Sequence, residues 1–189
     1  MPHNLEKKYE SNIKMKSFKN FYIRNNNLVQ LQNTSFESPL ITTNSYVYYS
    51  DLSLAQKQNF KWVAGGNLMI PLGPILINNI AVWGFTIPFP SGNQCLALQS
   101  TSFIEQTMYM TAGIHTISFY YHTRTLIGET GNPINISIDN LIIGTTSGVA
   151  VNSWTFFSQT FTTLISGNVI VKIEGTLSTT TGIDNIIVV

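Results

Sequence analysis

From about Phe36 onward, the chain alternates between short runs of β-branched and aromatic residues and short groups of turn residues. The clearest strand patterns are at residues 75–77, 95–98, 115–124, 134–138 and 169–173. No part of this region shows a convincing apolar spacing of three and four, so any helix is confined to the arm, around residues 5–21, and to a turn near residues 52–58. Many short strands with period-two alternation predict an all-β sandwich or barrel.

Residues 113–124 show the alternation in most detail. Apolar residues fall on one face of this run, namely Ile117, Phe119 and Tyr121. Hydrogen-bonding residues fall on the other face, namely Ser118, Tyr120, His122 and Arg124. Because successive side chains of a strand point to opposite sides, the first face is expected in the core. The second face is expected to meet solvent, a ligand groove or a partner protein.

A hairpin turn is predicted at Asp139-Asn140, because these residues separate two apolar runs and both tolerate a positive φ. No internal repeat or second domain is visible in the sequence. Residues 33–189 are therefore expected to form one sandwich, preceded by a basic N-terminal arm at residues 1–32.

The charge distribution distinguishes the arm from the body. Through Arg24, six basic residues stand against two glutamates, for a net charge of +4, whereas the rest of the chain has a net charge of −3. Such an arm can dock on acidic protein or on a membrane surface, or it can remain a solvated tail. Because arginine is nearly absent from it and its lysines are spread out, binding to nucleic acid is not expected.

Cys95 is the only cysteine, so neither an intrachain disulfide nor a cysteine-rich zinc site is expected. The first residues lack the apolar segment of a secretory signal peptide. The longest apolar-rich stretch, residues 68–89, is interrupted by prolines and asparagines, so no membrane span is expected. Synthesis in the cytoplasm is the corresponding expectation.

A series of spaced motifs resembles one known group of modules. The motifs are Asn33-Thr-Ser-Phe-Glu-Ser-Pro39, Lys61-Trp62 with Gly65-Gly66, Pro90-Ser-Gly-Asn-Gln-Cys-Leu-Ala-Leu98, Glu105-Gln106-Thr107, Ala112-Gly113 through Phe119, Trp154 to Phe161, and Gly182-Ile-Asp-Asn-Ile186. Together they resemble the galactose-binding-like jelly roll of non-catalytic carbohydrate-binding modules, such as the DUF642 proteins of plant cell walls and related bacterial and viral modules. The resemblance covers about residues 33–189 and implies a jelly-roll β-sandwich. Those relatives are usually secreted and often have paired cysteines, whereas this chain has one cysteine and no signal peptide is expected.

The same resemblance implies a structural calcium site. In modules of this fold, a carboxylate on the first strand and another on the last share Ca²⁺ with backbone carbonyls, and the matching residues are Glu37 and Asp184. A hard cation prefers such oxygen ligands. The alternative is that Asp184 caps a turn while Glu37 binds backbone amides.

A candidate glycan site is marked by aromatic and planar polar side chains, on which sugars stack and to which their hydroxyls bind. Tyr120, His122 and Arg124 share one strand face, and Trp83 or the tyrosines of residues 46–49 could supply a stacking surface. Each of these aromatic residues could instead belong to the core or to an interface. Trp62 and Trp154 are expected in the core.

Catalysis has little support in the sequence. Serine chemistry requires a histidine with an orienting acid, but His115 and His122 are seven residues apart on one strand and point to opposite faces. No phosphate-binding loop, zinc spacing or dinucleotide fingerprint occurs, and Cys95 is expected to serve packing. The chain is therefore not expected to be an enzyme.

Two functions fit these observations. The preferred one is a structural or decorating subunit of a larger assembly, best guessed as a minor capsid or virion surface protein, because jelly rolls form capsids. Its arm would anchor in a neighbouring protein subunit through Phe18, Phe21, Tyr22 and Ile23, while its lysines steer the encounter. The alternative is a free-standing module that binds cell-wall or surface glycans.

Overall fold

A computed structural model of the chain describes residues 30–66, 75–78, 84–85, 87–124, 131–148, 153–177 and 179–189. These ranges contain eleven β-strands and one short α-helix. The strands are β1 (Ser45–Tyr48), β2 (Val63–Gly65), β3 (Ile75–Asn78), β4 (Gln94–Gln99), β5 (Phe103–Met110), β6 (Gly113–Thr123), β7 (Ile134–Ile138), β8 (Leu141–Thr145), β9 (Thr155–Thr163), β10 (Gly167–Gly175) and β11 (Thr180–Val188). The helix is α1 (Leu54–Phe60), within and just beyond the stretch in which a helical turn was predicted.

Local sequence explains both ends of α1. Ser53 and Gln56 form a reciprocal capping box that satisfies free amide groups at the first turn. Lys61 ends the helix in the left-handed conformation, with φ of 70°. Phe60, the buried residue of α1, stacks at 6.3 Å on Phe36 and so attaches the helix to the core. Across the described ranges, no helix has the length and apolar character needed to cross a membrane.

The strands form two antiparallel sheets. The six-stranded sheet has the order β1-β3-β4-β11-β6-β9, and the five-stranded sheet has the order β2-β5-β10-β7-β8. The predicted all-β jelly-roll sandwich is confirmed. The predicted hairpin is also confirmed: Asp139 and Asn140 join β7 to β8 with φ values of 48° and 68°.

The main core lies between the two sheets. The apolar face predicted for β6 is confirmed, because Ile117, Phe119 and Tyr121 are all buried there. Residues from both sheets complete this core, among them Leu96, Leu98, Ile104, Ile136, Val171, Ile173 and Ile183. Trp62 is buried in it as predicted, and its Nε1 donates a hydrogen bond of 3.2 Å to Asn33 O.

A second apolar cluster covers the opposite face of the six-stranded sheet, here called the outer face. Its buried members are Ile75, Ile77, Phe85, Phe89, Cys95 and Ala97, with Tyr48 and Trp154 packed against them. β3 is buried on both faces for this reason, which explains why three of its four residues are large and apolar. Cys95 packs in this cluster, as the sequence suggested.

The beginning of the body runs beside its last strand. Ile186 N donates a hydrogen bond of 3.0 Å to Thr34 O. Just before this point, Gln32 is joined to Gln106 of β5 by two hydrogen bonds. The segment at residues 30–36 therefore bridges the two sheets, and it brings Glu37 towards the middle of β11, where Asp184 lies.

Candidate functional site

The register of β6 places the predicted ligand-binding residues on the outer face. Tyr120 pairs with Asp184, and His122 pairs with Gly182, on the neighbouring strand β11. Arg124 follows directly after β6, and its backbone amide donates to Thr180 O at 3.0 Å. The alternation that starts at Ser118 therefore continues along one face to the end of the strand.

The environment of His122 differs from the prediction that this face of β6 meets solvent, a ligand groove or a partner protein. It is fully buried, and its ring lies 5.4 Å, edge to face, from both Phe85 and Trp154. Its Nδ1 donates a hydrogen bond of 2.7 Å to Thr123 O, because a carbonyl oxygen can only accept. The protein's own aromatic side chains thus cover this part of the outer face.

We call Phe85, Phe89 and Trp154 the aromatic cap. Trp154 was expected in the core, but it packs on the outer face, where its ring lies 5.9 Å from Phe89 and 6.2 Å from Phe85. Gly182 permits this arrangement, because a Cβ there would lie 3.1 Å from Phe85 and 3.2 Å from Trp154. The sequence analysis missed Phe85 and Phe89, since no local pattern shows that a loop folds back over a sheet.

Next to the aromatic cap, the outer face carries an accessible pair of rings. Tyr120 pairs across the strands with Phe156, and their ring centroids are 5.2 Å apart. Phe156 is 56% exposed, so one aromatic ring is open to a ligand. Hydroxyl groups continue the same face along β6 and β9, namely those of Ser118, Ser158, Thr116 and Thr160. The sequence analysis missed Phe156, because its position beside Tyr120 depends on the register.

Polar and aromatic groups also lie elsewhere on this face. Gln99 pairs with Thr180, and its buried Oε1 has no hydrogen-bond partner within the described part of the chain. Tyr46 and Tyr48 lie across the sheet on β1, where they make an edge-to-face contact at 6.0 Å. Trp83, the other predicted stacking residue, lies outside the described residues.

The two predicted calcium ligands both bind the turn before β4. Asp184 Oδ2 accepts a hydrogen bond of 2.8 Å from Ser91 N, and its Oδ1 accepts one of 2.7 Å from Asn185 N. Glu37 Oε1 accepts hydrogen bonds from the amides of Asn93 and Gln94, at 2.9 and 2.7 Å. The contacts described as the alternative, a turn-binding aspartate and an amide-binding glutamate, are therefore present.

Gly92 is the residue around which this turn closes. Its φ is +70°, and a Cβ there would come within 2.4 Å of the Glu37 carboxyl group. Only glycine combines this conformation with so close an approach.

The acidic pair has an unfavourable electrostatic environment. Burial raises the pKa of Asp184 from 3.8 to about 7, and the charge of Glu37 adds to the effect, against the two amide hydrogen bonds. Burial also raises the pKa of the Cys95 thiol, with smaller contributions from Asp184 and Glu37. The buried Asp184 carboxyl group thus lies within the electrostatic influence of the half-buried Glu37.

A hard cation would relieve this repulsion. Glu37 Oε2 accepts no hydrogen bond from the described residues and remains available as a ligand. Within the same ranges, however, no group of three or more His, Cys, Asp or Glu residues is placed so that it could hold a metal ion by itself. The remaining ligands of a cation would have to be carbonyl oxygens or water.

The four predicted partner-binding residues, Phe18, Phe21, Tyr22 and Ile23, lie outside the described residues. The described chain begins at Gln30, within the predicted arm, and Leu31 packs against the main core.

The sequence matches no protein-family model and no curated protein. Several solved structures have similar folds. TmCBM61 in complex with β-1,4-galactotriose is 12% identical, with a TM-score of 0.49 over 85% of this chain and 97% of that one. A family 35 carbohydrate-binding module from Clostridium thermocellum is 14% identical, with a TM-score of 0.49 over 76% of this chain and 97% of that one.

The enzymatically active domain of tailspike protein 4 from bacteriophage CBA120 is 10% identical, with a TM-score of 0.49 over 85% of this chain and 21% of that one. The structural neighbours thus include carbohydrate-binding modules and the enzymatic domain of a tailspike protein. At these identities and TM-scores, they assign neither a family nor an activity to this chain. The class that the fold itself defines is a two-sheet antiparallel β-sandwich.

Proposed function

We propose that this protein is a non-catalytic glycan-binding module whose ligand contacts the outer face of the six-stranded sheet. The observation that carries the proposal is the exposed Phe156 ring beside Tyr120. Sugar rings present apolar C–H faces that stack on such rings, while polar neighbours bind their hydroxyl groups. The order of the sequence motifs, which resembles carbohydrate-binding modules, supports the same function.

The surroundings of Phe156 favour an uncharged glycan. β6 and β9 contain no Asp, Glu, Lys or Arg, and their outer-face positions beside the aromatic pair are serines and threonines. Hydroxyl groups can both donate and accept, as sugar hydroxyls require. A uronic acid or a sulfated sugar would find no opposite charge on these two strands.

Binding to a panel of neutral oligosaccharides, measured by calorimetry, tests this proposal. For a ligand that binds, Phe156→Ala should weaken the affinity about twofold to tenfold through the loss of aromatic contact alone, since such contacts contribute about 0.5–1.5 kcal/mol beyond area burial. Ile142→Ala is the matched control, because Ile142 is exposed to the same degree but lies on the five-stranded sheet. Unchanged affinity in Phe156→Ala would refute the outer-face site.

We also propose that Glu37 and Asp184 hold a structural Ca²⁺. The raised pKa of Asp184, the proximity of the two carboxyl groups and the available Glu37 Oε2 support this role. The ion would supply the positive charge that the described residues around the pair do not provide. It would stabilise the turn before β4, a strand of the sheet that carries the outer face.

A second candidate function is a subunit of a larger protein assembly, such as a virion. One observation favours it: four strongly exposed aliphatic side chains lie in or beside the β5–β6 and β9–β10 turns and the adjacent end of β11, namely Ile114, Leu164, Ile165 and Val189. Exposed apolar patches often mark protein interfaces. Sedimentation of Leu164→Ser/Ile165→Ser against the unchanged protein tests it, and a monomer in both cases would exclude self-association through this end.

A further inference from the structure

A cavity of about 460 Å³ opens at one end of the sandwich, between β5 and β11. Apolar side chains from both sheets line it, chiefly Met108, Met110, Ile186 and Val188, together with Leu31. Both methionines are buried, so the cavity reaches to the main core. Its lining includes no residue of the aromatic cap and neither Glu37 nor Asp184.

Two strand edges border this cavity. β2 pairs with β5 only at residues 103–105, which leaves residues 106–110 without a strand on that side in the described ranges. β4 pairs with β11 only at residues 180–183, and beyond them Thr34 O accepts from Ile186 N. The cavity therefore lies in a gap between the sheets that no described strand fills.

The backbone of Val188 faces this gap. Val189 and Thr116 exchange two hydrogen bonds, of 3.0 and 2.8 Å, across β11 and β6. In an antiparallel pair the hydrogen-bonded residues alternate, so the N–H and C=O of Val188 point away from β6, towards the cavity. A strand edge with which no described residue pairs can accept an added extended segment.

The chain itself supplies a segment for this place. Gln30 lines the cavity, and 29 residues precede it. Phe18, Phe21, Tyr22 and Ile23 form an apolar group only a few residues upstream. The intervening Asn25-Asn26-Asn27 consists of residues that favour turns, so the chain can reverse there.

We propose that the cavity is the docking site for residues 18–23 of the same chain. Their backbone would pair with the free edge at Val188, and their aromatic rings would contact Met108 and Met110, since thioethers make favourable contacts with aromatic rings. The segment would complete the sandwich at this end. This proposal is independent of the glycan site.

Docking within one chain is favoured over docking from a second copy, because the effective concentration of a linked segment is higher than the concentration of another molecule. A connection of only a few residues gives an effective concentration of about millimolar. A second copy present at micromolar concentration would compete at a disadvantage of about a thousandfold. The expectation that the arm anchors in a neighbouring subunit is the competing outcome of the test.

Photocrosslinking of the full chain tests the proposal. The photoreactive amino acid benzoylphenylalanine, which inserts readily into methionine side chains, replaces Phe21 in one variant and Lys7 in the control. We expect the Phe21 variant to crosslink to the peptide containing Met108 and Met110 within a single chain, with a yield about tenfold above the control. Crosslinks only to other regions, only between two copies, or at the control level would overturn the proposal.

Val188→Arg provides a second measurement, with Ile142→Arg as the control on the far sheet. The first should reduce the crosslink several-fold while the second leaves it unchanged. Thermal melting verifies that each variant folds cooperatively. If Val188→Arg does not fold, the crosslinking map of the unaltered body still decides the question.

Discussion

The two faces of the six-stranded sheet are covered by different parts of the protein. On the inner face, Leu96, Phe119 and Ile183 meet the apolar side chains of the five-stranded sheet. On the outer face, Ala97 and Gly182 lie beside His122 and Asp184, beneath aromatic rings from loops. The inner face contains few polar groups, whereas the outer face buries an imidazole and a carboxyl group.

This difference separates the part that builds the fold from the part that can bind. Burying polar groups reduces stability unless hydrogen bonds or a bound group compensate for lost water. A face that keeps such groups next to exposed aromatic rings departs from simple packing, and such departures concentrate at functional sites. The following predictions test the contrast, from the largest expected effect to the smallest.

Phe119→Ala should have the largest effect on stability. Phe119 is fully buried between the sheets, with its ring 5.0 Å from Phe157. Its loss should lower the free energy of unfolding by about 3–5 kcal/mol. Phe85→Ala, on the outer face, should lower the free energy of unfolding by clearly less, because the loop that holds Phe85 can relax into the space left by the missing ring. Urea denaturation measures both, and equal costs would remove the distinction between the faces.

Asp184 should make the stability depend on pH. Its pKa is raised in the folded protein from 3.8 to about 7, so the folded state binds the proton more tightly. The stabilisation is present below pH 3.8 and is lost as the pH rises to about 7, by roughly 4 kcal/mol at most. Asp184→Asn should flatten this part of the profile, as measured by denaturation between pH 4 and pH 8. An unchanged slope would show that another group is responsible.

Calcium should reverse part of this loss at neutral pH. At a free concentration of 100 times its Kd, a ligand of the folded state alone adds about 2.7 kcal/mol and raises the Tm. Glu37→Gln should abolish the shift, whereas Glu105→Gln, on the other sheet, should preserve it. A Tm that does not respond to calcium would leave Glu37 and Asp184 as ligands of backbone amides only.

Gly182→Ala should have the smallest effect, confined to the aromatic cap. The added Cβ would press on the rings of Phe85 and Trp154 from 3.1–3.2 Å, at a cost of about 1 kcal/mol. Gly167→Ala is the control, because nothing lies within 4 Å of its Cβ position. Tryptophan fluorescence should change in Gly182→Ala only, because only that variant disturbs the ring of Trp154. Identical behaviour of the two variants would show that the cap does not need this close approach.

Much of the fold could be predicted because its signals are local. Alternation identified the core face of β6, and residue types identified the β7–β8 turn and the short helix. The outer face could be predicted only in part. Tyr120, His122 and Arg124 were assigned to one face by their period of two, but that period does not show what covers the face.

The sequence by itself determined an all-β sandwich, the inner core and the face to which Tyr120 belongs, because these depend on the periodicity of single strands. The tertiary structure alone decided that Phe85 and Trp154 bury His122, that Phe156 stands exposed beside Tyr120, and that Glu37 and Asp184 bind one turn. Those contacts join residues that are distant in the chain. They depend on strand order, register and the path of loops, which no local pattern of residues encodes.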